Sequence, residues 1–244
     1  MIICIDGRPR NVKLAASIRA IEKNIDIRIV EAVKPDDIDP EILKKIRSSS
    51  EYLLGRRISD PEIATMLSHR KCYEILRQDS WPTAYILEDD IDLSESSFDF
   101  QRPLMQIGLD TLRILTLVKS PWSIWKRKQG ILKALIPPPC AAAYVINQKT
   151  ANFALSFDPI GIADWPPWSH EVEFLYDKEF DLPIYVEGSL IEDSRSKFIN
   201  ENNLRVLFQK SPRTLFVKKI WQIRYTLWYK FLWRTRKFNI FASE

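Results

Sequence analysis

Apolar residues recur at two spacings along this chain, and the switches between them mark out strands and helices in turn. Ile2, Ile3 and Ile5 make a short strand that closes in a turn at Asp6-Gly7-Arg8-Pro9, and Leu14, Ile18 and Ile21 then share one face of a helix over roughly Val12 to Lys23. Ile27 to Val33 is a second strand, so this segment reads as strand, helix, strand, the unit of a parallel sheet. Asp39 to Arg47 is predicted to be helical, whereas Ser48 to Arg57 is polar and without a period and is expected to be a loop over a site. A longer helix starts at Ser59 or Asp60. There Ser59 and Glu62 make a capping box, Pro61 falls in the first turn, and Ile63, Met66, Leu67 and Tyr73 give the apolar face. A turn at Trp81-Pro82 leads into Thr83 to Leu87, a largely apolar run suited to a strand covered on both faces.

Further along, Arg113 to Val118 is strand-like, and Lys119 to Leu135 mixes Trp122 and Trp125 with Lys126, Arg127, Lys128 and Lys133. After Pro137-Pro138-Pro139, Cys140 to Ile146 suits a central strand and Gln148 to Phe157 a helix packed on it. The prolines of Asp164-Trp165-Pro166-Pro167-Trp168 restrict themselves and their neighbours, which predicts a shaped loop. Ser169 to Phe180 is expected to be helical and Leu182 to Val186 to be the last strand. The fold class is therefore α/β, a Rossmann-type mixed sheet flanked by helices.

Composition adds a division of charge. The chain has 244 residues, 45% of them apolar, enough for one substantial core. Its net charge of +4 is split, because residues 205–244 hold ten Lys or Arg against Glu244 alone, +9, and residues 1–204 carry −5. We therefore expect a catalytic-size domain over 1–204 and a basic aromatic helical extension over 205–244. In the extension Val217, Ile220, Trp221, Leu227, Trp228, Phe231 and Leu232 recur at near-helical spacing, with Lys218, Lys219, Lys230, Arg234 and Lys237 mostly on other faces. Charges interrupt it too often for a bilayer span, so the expectation is an interfacial helix on an anionic membrane surface, or a terminal helix packed on the domain. No nucleic-acid partner is expected, since no recognised binding module accompanies the charge. The three cysteines, Cys4, Cys72 and Cys140, form no CxxC pair and indicate neither a disulfide framework nor a thiolate zinc site. With a core strand at its very start and no signal-like segment, the chain is expected in the cytoplasm, peripheral on the inner face of the cytoplasmic membrane.

Candidate chemistry concentrates at Glu88-Asp89-Asp90, directly after the strand that ends at Leu87. Three adjacent carboxylates repel one another, and a hard divalent ion that prefers oxygen ligands is the usual partner of such a cluster. In open α/β sheets ligands bind beyond the carboxyl ends of strands, which is where these side chains fall. An acidic turn or a helix N-terminus is the bland alternative. On a continuing strand Glu88 and Asp90 share a side. Arg8 and Arg10, on the turn after the first strand, can grip a phosphate or stay solvated. His69 lies at the edge of its helix's apolar face, as a hydrogen-bonded core histidine or a substrate contact.

The order of these motifs resembles glycosyltransferase family 25, the lipooligosaccharide-type glycosyltransferases. The resemblance is carried by Glu62-Ile63-Ala64-Thr65-Met66-Leu67-Ser68-His69, by Tyr85-Ile86-Leu87-Glu88-Asp89-Asp90, by Ala142-Ala143-Tyr144-Val145-Ile146 with the helix bearing Ala151, and by Asp164 shortly after that helix. It spans roughly residues 1 to 195. The chain departs from the family pattern in reading Ile5-Asp6-Gly7-Arg8-Pro9-Arg10 after the first strand and Ala64-Thr65 in place of Gly-Cys.

The resemblance implies a GT-A-like fold, a nucleotide-sugar donor, a divalent cation (Mn²⁺ or Mg²⁺) and transfer with inversion to a glycan or glycolipid acceptor. The donor it suggests is a uridine-diphosphate sugar carrying galactose or glucose. Under this reading Asp90 binds the metal, Glu88 reaches the metal or the ribose, Asp89 supports the donor loop, and Arg8, Arg10 and His69 face the donor. Asp164 is the expected base, with Trp165 and Trp168 beside it able to stack on sugar; His170 is the alternative base or a further ligand. Two rivals remain. One is a glycan- or partner-binding relative without turnover; the other is a metal-dependent phosphoryl-transfer enzyme, which would want a second dense acidic cluster that the sequence lacks.

Overall fold

A computed structural model of the chain describes residues 2–182, apart from 7–9, 23–24, 55–57, 90, 92, 94–97, 119–124, 129–130, 135–140 and 165. The expected extension over 205–244 lies outside the described residues, as do Arg8, Asp90, Trp165 and the side chain of Arg10.

The opening follows the strand-helix-strand reading: Ile2–Asp6 (β1), Arg10–Ile21 (α1) and Ile27–Glu31 (β2), with β1 and β2 parallel from Ile2 opposite Ile27 to Asp6 opposite Glu31. Helix α1 buries Leu14, Ala15 and Ile18, and Ile21 packs against the same cluster. The next helix, Pro40–Leu54 (α2), corrects the expectation of a loop from Ser48 onward. Ile46 is fully buried, Ser50 Oγ accepts the Gly161 N–H at 2.8 Å, and Glu51 Oε1 accepts the Ile58 N–H at 3.0 Å. An inward-facing serine that accepts a distant backbone N–H looks solvated in sequence, and this hid the helix.

Asp60–Gln78 (α3) begins as the capping box predicts: the Glu62 carboxylate accepts the Ser59 N–H at 3.0 Å and the Ser59 hydroxyl at 3.1 Å. An ion pair between Arg47 and Asp60 ties α2 to its first turn. Ile63, Met66, Cys72, Tyr73 and Leu76 turn into the core.

The remaining elements are Thr83–Leu87 (β3), Gln101–Ile107 (α4), Arg113–Thr116 (β4), Trp125–Lys128 (β5), Ile131–Ala134 (β6), Ala143–Asn147 (β7), Gln148–Leu155 (α5) and Glu173–Tyr176 (β8). They complete an eight-stranded sheet in the order β2-β1-β3-β7-β4-β8-β6-β5. Strand β7 runs antiparallel between β3 and β4, and β8 is parallel to β4. The sheet is thus mixed, and the carboxyl ends of β1, β3, β4 and β8 share one edge with the start of β7.

One expectation is corrected here: Ser169 to Phe180 is no helix and passes from the 3-10 turn at Pro167–Glu171 through β8 to a 3-10 turn at Lys178–Phe180. The basic stretch after Lys119, to which the sequence assigned no element, contains the β5–β6 hairpin. Leu182, expected to open the last strand, donates its N–H to Leu117 O at 2.7 Å beside β4, and 183–186 lie outside the described residues.

Strand β3 is buried at all five positions because both faces of the sheet are covered. Tyr85 and Leu87 join the cluster of α1, Phe98, Phe100 and Phe180, while Ala84 and Ile86 join that of α3, α5 and Trp168. At the opposite edge from the strand ends, burial disfavours ionisation of Glu173, but hydrogen bonds from Lys133 at 2.6 Å and Arg113 at 2.5 Å outweigh it and hold the carboxyl below its usual range. Among the described residues no helix is long and apolar enough to cross a membrane.

Candidate active site

Alternation along β3 decides where the acidic run points. Glu88 has the parity of Ala84 and Ile86, so its side chain leaves the sheet on the face covered by α3. Its N–H donates to Ala142 O at 2.8 Å, which extends the β3–β7 ladder past Leu87 and fixes the backbone at the strand mouth. The Glu88 side chain is 22% exposed, and its Oε1 lies 2.8 Å from Nε2 of His69, which is 2% exposed.

Helix α3 and strand β7 build the rest of this cluster. His69 Nδ1 is 2.8 Å from the Tyr144 hydroxyl, and the two rings stack at 5.7 Å between centroids and 18° between planes. Tyr144 stands opposite Ile86 across the β3–β7 pair, hence on the same face as Glu88. Its hydroxyl meets that of Tyr73 at 2.8 Å. Burial raises the pKa of both tyrosines above the ordinary phenol value, so both keep their protons.

Asp164 comes to the same edge on the loop after α5, beside Ala163, which packs in the cluster of α3 and α5. Its Oδ1 accepts the Ala141 N–H at 2.9 Å, one residue before the carbonyl that holds Glu88. The backbone of Glu88 and the carboxylate of Asp164 are therefore fastened to the adjacent residues Ala142 and Ala141. His170 is half-buried on the 3-10 turn that follows Asp164, and Asp89 is half-buried beside Glu88.

Trp168 has a different use from the sugar stacking expected of it. It is 6% exposed and meets Tyr73 edge to face at 6.0 Å, so it fastens the loop to α3 and offers no open ring face. His69, expected at the donor, is enclosed with both ring nitrogens engaged. Tyr73 and Tyr144, whose hydroxyls the sequence reading did not use, belong to the cluster. The spacing of His69 and Tyr73, four residues apart on one helix face, was the available signal.

Glu88 is the kind of ligand a hard cation takes, a carboxylate with one oxygen held by an outer hydrogen-bond donor. Among the described residues no three His, Cys, Asp or Glu side chains converge on one point, and Asp90 lies outside them.

No curated protein matches the chain. The family model described as glycosyltransferase family 25 (LPS biosynthesis protein) covers residues 8–136, a stretch that contains Ser68-His69 and Glu88-Asp89-Asp90 and ends before Tyr144 and Asp164. Because that match takes in more than half of the sequence, the chain belongs to glycosyltransferase family 25 and is a glycosyltransferase.

Proposed function

We propose that the chain is a metal-dependent inverting transferase of GT-A type that moves galactose or glucose from a uridine-diphosphate sugar to a hydroxyl of a lipooligosaccharide or another surface glycan. The observation that supports this reading is that two acidic residues meet one short segment at the mouth of β7, Glu88 through its backbone N–H on Ala142 O and Asp164 through its carboxylate on the Ala141 N–H. Transfer with inversion needs two separate functions, positive charge at the leaving diphosphate and a base at the acceptor hydroxyl. The acceptor oxygen attacks the anomeric carbon, the bond from that carbon to the β-phosphate oxygen breaks, and the electron pair leaves on the diphosphate. Asp164 takes the acceptor's proton, with His170 the second candidate for that role. Glu88, with Oε1 fixed by His69, presents its other oxygen on the diphosphate side, where Asp89 supports the turn and Arg8 and Arg10 bind phosphate. A bound Mn²⁺ or Mg²⁺, held by Asp90 and Glu88, supplies Lewis-acid stabilisation of the charge that develops on the β-phosphate.

The basic extension over 205–244 would hold the enzyme on the anionic inner face of the cytoplasmic membrane, close to a lipid-linked acceptor. Liposome flotation with and without residues 212–244 tests that part alone: equal binding by both forms rejects it. The chemistry is tested by incubating the full chain with a panel of nucleotide sugars, with manganese and with chelator. Release of nucleoside diphosphate from a uridine-diphosphate hexose, lost on chelation, is the expected result. No turnover of any donor would make the chain a binding relative of the family.

A further inference from the structure

Four polar groups form a single file through the interior. Tyr73 Oη meets Tyr144 Oη, Tyr144 Oη meets His69 Nδ1, and His69 Nε2 meets Glu88 Oε1, each at 2.8 Å. Tyr73, Tyr144 and His69 are 7%, 3% and 2% exposed, so only the Glu88 end reaches solvent. Counting hydrogens fixes the direction of the file. A carboxylate only accepts, a neutral imidazole has one donor and one acceptor, and a hydroxyl has one hydrogen to give. With Nε2–H donating to Glu88, Nδ1 must accept from Tyr144, and the Tyr144 oxygen accepts from Tyr73. Every hydrogen is then used once. Turning the imidazole tautomer round would set the bare Nε2 lone pair against the Glu88 carboxylate and send the Tyr144 hydrogen to Tyr73. The hydrogen of Tyr73 would then have no acceptor among the described residues.

We propose that Tyr144 and Tyr73 are positioning residues for Glu88: their hydroxyls hold His69 as the Nε2–H tautomer, and His69 in turn holds Glu88 Oε1 so that Oε2 faces the diphosphate end of the donor site. The near-parallel stacking of His69 on Tyr144 fixes the imidazole plane as well, so the donor atom is set in direction as well as in kind. Burial keeps both phenols protonated, and so both remain able to donate. Only the kinetic part of this proposal rests on the transferase reading; the tautomer and its control by the tyrosines do not.

The full chain labelled with ¹⁵N provides the test. It has two histidines, so long-range proton–nitrogen spectra resolve both imidazoles, and His170→Asn assigns His69. At neutral pH the wild type should show a protonated Nε2 and a bare Nδ1. Tyr144→Phe, checked for folding by its methyl proton dispersion, should move the His69 signals toward a tautomer mixture. Tyr73→Phe should shift Nδ1 the same way by less, and it serves alone if Tyr144→Phe does not fold. In transfer assays Tyr144→Phe should lower kcat about tenfold, the scale on which outer-shell partners act. His69→Gln, whose amide can still donate to Glu88, should keep more activity than His69→Ala. An Nδ1–H tautomer in the wild type, or unchanged His69 signals in the folded tyrosine variants, overturns the proposal. A tautomer change without any change in kcat also overturns it. If the tautomers behave as expected while the wild type turns over no nucleotide sugar, the transferase reading fails and the ordering of His69 by the tyrosines stands.

Discussion

Asp164 Oδ1 accepts the N–H of Ala141 at 2.9 Å, so the candidate base is fastened to the residue beside the one that holds the backbone of Glu88. This bond separates two roles that one side chain can have. Asp164→Asn keeps a carbonyl oxygen for Ala141 and removes the proton acceptor, so it should lower kcat by roughly 10²- to 10⁴-fold, the range of general-base catalysis, while the fold stays intact. Asp164→Ala should add a loss of stability, read as a lower Tm. A variant Asn enzyme with near-normal kcat and raised donor KM would reassign Asp164 to binding.

The start of α3 sets the position of His69, and the Ser59–Glu62 box holds that start. Ser59→Ala should lower unfolding free energy by about 1 kcal/mol, and Glu62→Ala by a similar amount, in urea titrations. An unchanged midpoint in both would mean that the first turn is held by Asp60, Pro61 and the Arg47 pair alone.

Arg70 joins α3 to the carboxyl end of α5, donating to Phe157 O at 2.7 Å and Leu155 O at 3.0 Å. Leu155 O is one of the last carbonyls of α5, which a helix does not bond itself, and Phe157 O lies just beyond its end. Arg70→Ala should cost about 1–3 kcal/mol of stability by removing both bonds. Arg70→Lys should recover only part of it, because an ammonium lacks the planar fork that reaches both. Equal stability of the lysine variant and the wild type would contradict the forked contact.

The buried phenols give the chain an alkaline limit. Burial raises the pKa of Tyr73 and Tyr144 in the folded state, whereas in the unfolded chain they ionise near the ordinary value of about 10. Their contribution is therefore fully present below about pH 10 and declines as pH rises beyond it, since the unfolded state then loses protons that the folded state keeps. Thermal unfolding followed from neutral to alkaline pH should show Tm falling above that point. Tyr73→Phe should fall less steeply, by up to one proton in the slope; an identical slope would place the titration elsewhere.

The parts of the fold legible in sequence were those in which one simple rule governs each residue. The unbroken run from Ala84 to Leu87 could only suit a strand covered on both sides, and the Ser59–Glu62 spacing marked a helix start. What escaped were elements whose stability comes from distant partners. Ser50 reads as solvated until Gly161 is seen on it, and Lys133 of the β5–β6 hairpin reads as surface charge until Glu173 faces it. Glu173–Tyr176 is too short a strand to outweigh the surrounding helical spacing. The acidic mouth of β3 and Asp164 were legible as candidates, from chemistry and family resemblance. The file of hydroxyls behind Glu88 was not, because Tyr144 lies 75 residues from His69 and 71 from Tyr73, and no local pattern encodes a contact at that range.

In the proposed reaction, charge on the leaving diphosphate is met at the carboxyl end of β3. The rate at which the full chain releases uridine diphosphate from UDP-galactose or UDP-glucose, measured with manganese and with chelator for the wild type and for Asp90→Asn, tests it most directly. Manganese-dependent release by the wild type, and loss of that release in Asp90→Asn at an unchanged Tm, are the expected results. Release that survives both chelation and Asp90→Asn would contradict this reading.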